Sequence, residues 1–282
     1  MHSVFYMIEK ELLQHKIVTR LPLFILGFSL LVIILSIYGL NAGNVEFSMN
    51  TLTYSDMFNV QQSFSTVISF VATLISILLS TTYLSKAICK DRQEGSLAFW
   101  RSMPISDLTT HMVKLGFALI IIPIICSILV LTTEFFLWFI SLISPEQVQS
   151  IIGDISLFSV VNNYISFIYN ISLLSFALIP LACLIFLISQ LSDSPLLIAI
   201  IGIYALKIIS SLILPDSGLD QFFYQFIQLP SSLVFSTEPI QVFSELAKFS
   251  TVIMYILAII FFVLNLSIQK YGEFNMRNFL VK

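Results

Sequence analysis

Two ionisable residues, Glu134 and Lys207, stand inside long apolar runs of this 282-residue chain. A charge at the centre of a hydrocarbon layer costs about 2.5–3.5 kcal/mol on insertion scales, so such residues pair, line a wet path or reach for a headgroup. Either Glu134 and Lys207 pair across helices or face a translocation path, or Lys207 snorkels outward and Glu134 sits at the interface. A second chemistry-bearing group lies in residues 86–114, KAICKDRQEGSLAFWRSMPISDLTTHMVK. There Leu97, Trp100 and Met103 fall on one helical face with Phe99 beside them, flanked by Arg92 and Arg101. Bulky apolar residues plus Arg on an exposed element resemble the anchors of a buried protein interface. An amphipathic elbow on lipid headgroups would use the same residues. Gly95 permits close approach, begins the helix or makes a plain turn. Pro104 ends the short helix, and Ser106 is placed to cap the next one.

Reaction chemistry has little to work with. The chain has no GxxxxGK[ST] phosphate loop, so hydrolysis of ATP by that route is excluded, and it has no HExxH. His2, His15 and His111 are not spaced as a metal site, and no Ser/His/Asp or Cys/His set converges within the apolar runs. Cys89, Cys126 and Cys183 are an odd, scattered trio that makes neither a disulfide framework nor a ligand set. No catalytic residue and no metal ligand is expected.

The elements that position these residues follow from composition. Hydrophobic residues make up 57% of the chain and charged residues only 10%, against about 25% charged in soluble domains. A soluble fold of this size cannot hide so much apolar surface. A net charge of −3 argues against nucleic acid as a partner. Crossing a bilayer core takes about 20 apolar residues. The segments near 21–40, 64–85, 115–141, 167–189, 195–214 and 249–268 qualify, giving six expected transmembrane helices in an all-α membrane protein. The fourth and fifth form a tight hairpin. Charged and polar residues at 9–16 precede any apolar run, so no cleavable signal peptide is expected.

Orientation follows from Lys and Arg. All of them except Lys207 and Lys248 lie before residue 21, between 86 and 114, or after 269. These three segments share one side only if the span count is even. Both termini and the 86–114 loop are therefore expected in the cytoplasm, with the protein in the inner (plasma) membrane. The acidic residues of the external loops reflect exclusion of Lys and Arg from that side, or attract a cationic substrate.

Residues 1–20 are expected to form a surface helix, with Val4, Phe5, Ile8, Leu12 and Val18 on one side. Glu11 and His15 intrude on that stripe, so its second half is a candidate for contact with a protein partner. Within the external loop 215–248, the stretch 221–235 is strongly apolar but too short to cross. Pro230 interrupts it, and the expectation is a re-entrant pair of short helices.

The order Asp91, Arg92, Glu94, Gly95, Ser96, Leu97, followed by Ser102, Pro104, Ile105 and Ser106, resembles the loop between the second and third spans of type-2 ATP-binding-cassette (ABC) exporter permeases. The layout is similar too: an amino-terminal surface helix, six spans, and a re-entrant segment before the last. Ala98 departs from the pattern, since many relatives carry an acid there. The resemblance implies a single permease domain over 1–282. It implies that Arg92, Glu94, Gly95, Ser96, Leu97, Phe99, Trp100, Arg101, Met103 and Pro104 form a coupling helix that docks on a separate cytoplasmic ATPase. That ATPase would hold ATP and Mg; this chain would bind no cofactor. Six spans are half of the usual pore, which implies a second permease copy or a similar permease as partner.

Two other readings compete. An intramembrane enzyme would need paired acids or histidines facing one cavity, and the runs offer only Glu134 as a buried acid. A channel or structural membrane subunit would work without an ATPase.

Overall fold

The computed structural model describes residues 2–41, 54–93, 106–143, 156–213, 219–236, 241–242 and 248–271. Among these residues every regular element is helical. They are α1 (His2–Gln14), α2 (Lys16–Asn41), α3 (Tyr54–Ala87), α4 (Cys89–Gln93), α5 (Asp107–Gly116), a π-helical turn (Phe117–Ile121), α6 (Ile122–Ile143), α7 (Leu157–Leu191), α8 (Pro195–Ile213), α9 (Leu219–Phe235) and α10 (Lys248–Tyr271). Among the described residues, five helical stretches are long and apolar enough to cross a membrane: Ser65–Asp91, Asp107–Leu142, Leu157–Leu191, Pro195–Leu212 and Ser250–Gln269. These are the properties of a helical membrane protein. The stretch Ile17–Leu31 of α2 is a shorter apolar helix.

Side-chain exposure fits hydrocarbon as the solvent. On α8, Leu197, Ile200, Ile201, Ile208 and Leu212 are all exposed, and α10 likewise exposes Val252, Ile256, Ile259 and Val263. Water would penalise such a surface; lipid does not.

Proline inside these helices frees carbonyls that a hydrocarbon layer cannot hydrate, and side chains take them up. Pro180 in α7 has no N–H for the carbonyl of Phe176, and that carbonyl instead accepts the Tyr255 hydroxyl at 3.2 Å. In the π turn the Ile122 N–H bonds the Phe117 carbonyl. The next residue in that pattern, Pro123, cannot donate to Ala118, and Ser80 Oγ donates to the Ala118 carbonyl at 2.7 Å.

Three details differ from the sequence reading. Pro230 lies inside a continuous helix, Leu219–Phe235, rather than between two short ones. Leu229 and Leu233 bury against Leu174, Ala177 and Leu178 of α7, and this packing carries the helix through the proline. The fourth apolar helix begins at Leu157, not near 167. Ser156 Oγ accepts the Ser159 N–H at 3.1 Å, and Asn162 and Asn163 simply lie within the helix. The amino-terminal helix ends at Gln14 and a second helix starts at Lys16, so residues 1–20 are not one continuous helix; Met7, Glu11 and Val18 are buried while Phe5 is 68% exposed.

The described residues fall into two compact units. One comprises Met1–His15, Ile77–Ile122 and Ser172–Lys282; the other comprises Lys16–Ser76 and Pro123–Ile171. In the first, α1 and α10 pack on α5, and α9 packs on α8 and α10. In the second, Leu137 and Val160 pack with Ile68 and Trp138.

Candidate functional site

At the basic end of the first unit a buried charge cluster gathers α1, the end of α3, α4 and α5. Its centre is Lys114, which is 4% exposed on the last turn of α5. The Lys114 ammonium donates to the Ala87 carbonyl and to Asp91 Oδ2, and lies 3.8 Å from Glu11 Oε1. An ammonium has three N–H donors, and three oxygens surround this one. Asp91 also accepts from Lys10 Nζ and Gln14 Nε2, each at 3.5 Å on Oδ1. The second oxygen of Glu11 accepts the Tyr83 hydroxyl at 2.8 Å, and His15 Nε2 lies 3.7 Å from it. Lys90 Nζ donates to the Gln14 carbonyl at 3.1 Å, placing a cation at the carboxyl end of α1, where the helix dipole favours it.

Burial explains why every carboxylate oxygen of Glu11 and Asp91 has a partner. Removing two charges from water costs several kcal/mol per ion, and attraction offsets this only when the remaining hydrogen-bonding positions are filled. His15 rests edge-on against the Tyr83 ring at 4.9 Å. Burial, reinforced by Lys90 and Lys114, pushes its pKa down to about 4, so the imidazole is neutral near pH 7.

A second polar group extends this end of the unit. His111 Nδ1 lies 2.9 Å from the Asp107 carbonyl, and its Nε2 lies 3.1 Å from Asn265 Oδ1 and 3.2 Å from Gln190 Nε2. Gln269 donates to Asp107 Oδ1 at 3.3 Å, and Ser189 Oγ donates to the Ser85 carbonyl at 2.8 Å. The starts and ends of α3, α5, α7 and α10 are thus tied together. Ser106 caps α5 as the sequence indicated: its Oγ accepts the Thr109 N–H at 3.2 Å.

The two clusters frame the segment between Asp91 and Ser106. Of the residues the sequence singled out there, Glu94, Gly95, Ser96, Leu97, Phe99, Trp100, Arg101, Met103 and Pro104 lie outside the described residues, and Arg92 is in α4. Glu134 is buried in the second unit, where Ser65 Oγ donates to its Oε1 and the Asn163 side chain also hydrogen-bonds it. Lys207 is half-buried on α8, in the first unit.

Sequence reasoning placed Glu11 and His15 as misfits in an apolar stripe and did not foresee Tyr83 as a partner. The misfit was the signal, because a charge on the inward face of an amphipathic helix marks a polar contact. Among the described residues no group of three or more His, Cys, Asp or Glu is arranged to hold a metal. Comparison with family models, curated proteins and solved structures gave no match.

Proposed function

We propose that the chain is the membrane-spanning permease subunit of an ABC exporter. In this reading, α2 is the first of six spans, both termini lie in the cytoplasm, and the 92–104 segment is the coupling helix. A separate ATPase binds ATP and Mg, grips that helix through Phe99 and Trp100, and drives alternate access between this permease and a second copy or a similar one.

One observation carries the reading. The motif running from Asp91 to Ser106 is anchored at both ends, by Asp91 in a buried ion pair and by Ser106 as a helix cap. A segment that transmits force between a soluble motor and membrane helices needs firm attachment at its base, since a compliant anchor would absorb the stroke. The five long apolar helices supply the membrane part.

Co-expression with a candidate P-loop ATPase, purification in nanodiscs and measurement of ATP hydrolysis test the proposal. Stable co-purification, with hydrolysis altered by the permease, supports it. A chain that binds no ATPase and conducts ions or solutes passively is a channel, and the proposal fails.

A further inference from the structure

The buried cluster joins more than the two ends of the 92–106 segment. Lys114 touches Asp91 at the start of that segment, and it also lies against Glu11 on α1, while Lys10 and Gln14 of α1 reach Asp91 directly. Lys90, one residue before Asp91, holds the last carbonyl of α1. Every one of these contacts spans helices, and α1 packs on α5 in the same place.

We infer that Lys114 is a positioning residue that locks α1 to α4, so that moving either helix moves the other. The inference deepens the proposed function by naming α1 as part of the element a cytoplasmic partner would move. Its physical content is a shared cation. Glu11 and Asp91 sit on different elements, and each is neutralised by the same ammonium. Withdrawing α1 therefore leaves Asp91 short of Lys10 and Gln14, and withdrawing α4 leaves Glu11 and Lys114 in an altered field. Coupling of this kind is reciprocal by thermodynamic necessity.

The effects of substitution follow an order. Lys114→Met leaves two buried carboxylates facing each other with Lys10 as their remaining close ammonium, which is the most severe change. Asp91→Asn leaves Lys114 with Glu11 and is milder. Lys114→Arg keeps the charge and the donors, and restores the lock. A purely local packing role for Lys114 would not produce this ranking in α1, a helix about 100 residues away in sequence.

Amide hydrogen exchange on the full-length chain in nanodiscs, without any ATPase, tests the lock. In Lys114→Met, exchange in α1 and α4 should both rise by about tenfold or more, with α7 and α8 unchanged. Asp91→Asn should give a smaller rise in the same two helices, and Lys114→Arg should approach the parent chain. Faster exchange in α5 alone, or an equal loss of protection across α7 and α8, overturns the inference. If Lys114→Met does not yield a monodisperse protein, the Asp91→Asn and Glu11→Gln pair decides: each must loosen both α1 and α4, and loosening of only the substituted helix refutes the lock. Because no ATPase is present, this result stands apart from the transport reading, which is tested by co-purification.

Discussion

Lys114 and Asp91 meet in a buried ion pair although they stand 23 positions apart in sequence, one on α5 and the other on α4. An ion pair here gains little net stability over an apolar pair of equal volume, but breaking it by removing one partner is severe. Its effect is to hold α4 against α5.

If the chain is the exporter permease we propose, Trp100→Ala should uncouple ATP hydrolysis from transport. Interface anchors of this type cost at least about 2 kcal/mol when truncated, so docking of the ATPase should weaken by more than about tenfold while the permease remains folded. Reconstituted vesicles in which Trp100→Ala transports as well as the parent chain would remove Trp100 from the interface.

The pH dependence of stability carries the signature of His15. Its folded pKa, about 4, lies below the unfolded value of about 6.5. Between those values the unfolded chain binds a proton that the folded chain excludes, because Lys90 and Lys114 repel it and burial removes solvent. This contribution to stability is complete above about pH 6.5 and is lost progressively as the pH falls toward 4. Its full size is on the order of 2–3 kcal/mol. His15→Gln, uncharged throughout, should flatten the dependence in this window. Unfolding midpoints from pH 4 to 7.5 that fall equally in parent and variant would contradict the assignment.

Tyr255→Phe should destabilise the chain modestly, by about 0.6 kcal/mol and at most about 1.7 kcal/mol, as hydrogen bonds between membrane helices do. In a Pro180→Ala background the restored N–H can take the Phe176 carbonyl, and the same substitution should then cost less. Equal losses in both backgrounds would show that the Tyr255 hydroxyl is not compensating for the proline.

Ser65→Ala deprives the Glu134 carboxyl of a hydroxyl donor in an apolar setting and should cost about 1–3 kcal/mol. Glu134→Gln keeps an acceptor for Ser65 and should be better tolerated than Glu134→Leu. Pairing of Glu134 with Lys207 is one of the two alternatives, and exchanging the residues tests it: a double swap no better than the single changes means that they are not partners.

The apolar helices were legible because hydrocarbon demands long uninterrupted runs, and Ser106 was legible because a cap acts on residues three positions away. The lock was only half legible. Glu11 stood out within its stripe, but its partner Tyr83 is 72 residues distant, and no local pattern encodes which helix the stripe will meet. Pro230 misled for a related reason. Proline reads as an interruption when local hydrogen bonding is considered alone, yet burial of Leu229 and Leu233 against α7 supplies long-range support that keeps the helix whole. The fourth apolar run likewise reads as starting near 167, whereas Ser156 holds the true cap.

The distance in sequence between Glu11 and Lys114 also orders events during synthesis. A ribosome adding about 5–20 residues per second needs roughly 5–20 s to pass from one to the other. During that interval the first helix has been made, and of the two ammonium groups beside Glu11 only Lys10 is present. Until Lys114 is made, Glu11 relies on Lys10 and water, and the packing of α1 on α5 forms only after the chain has reached that point.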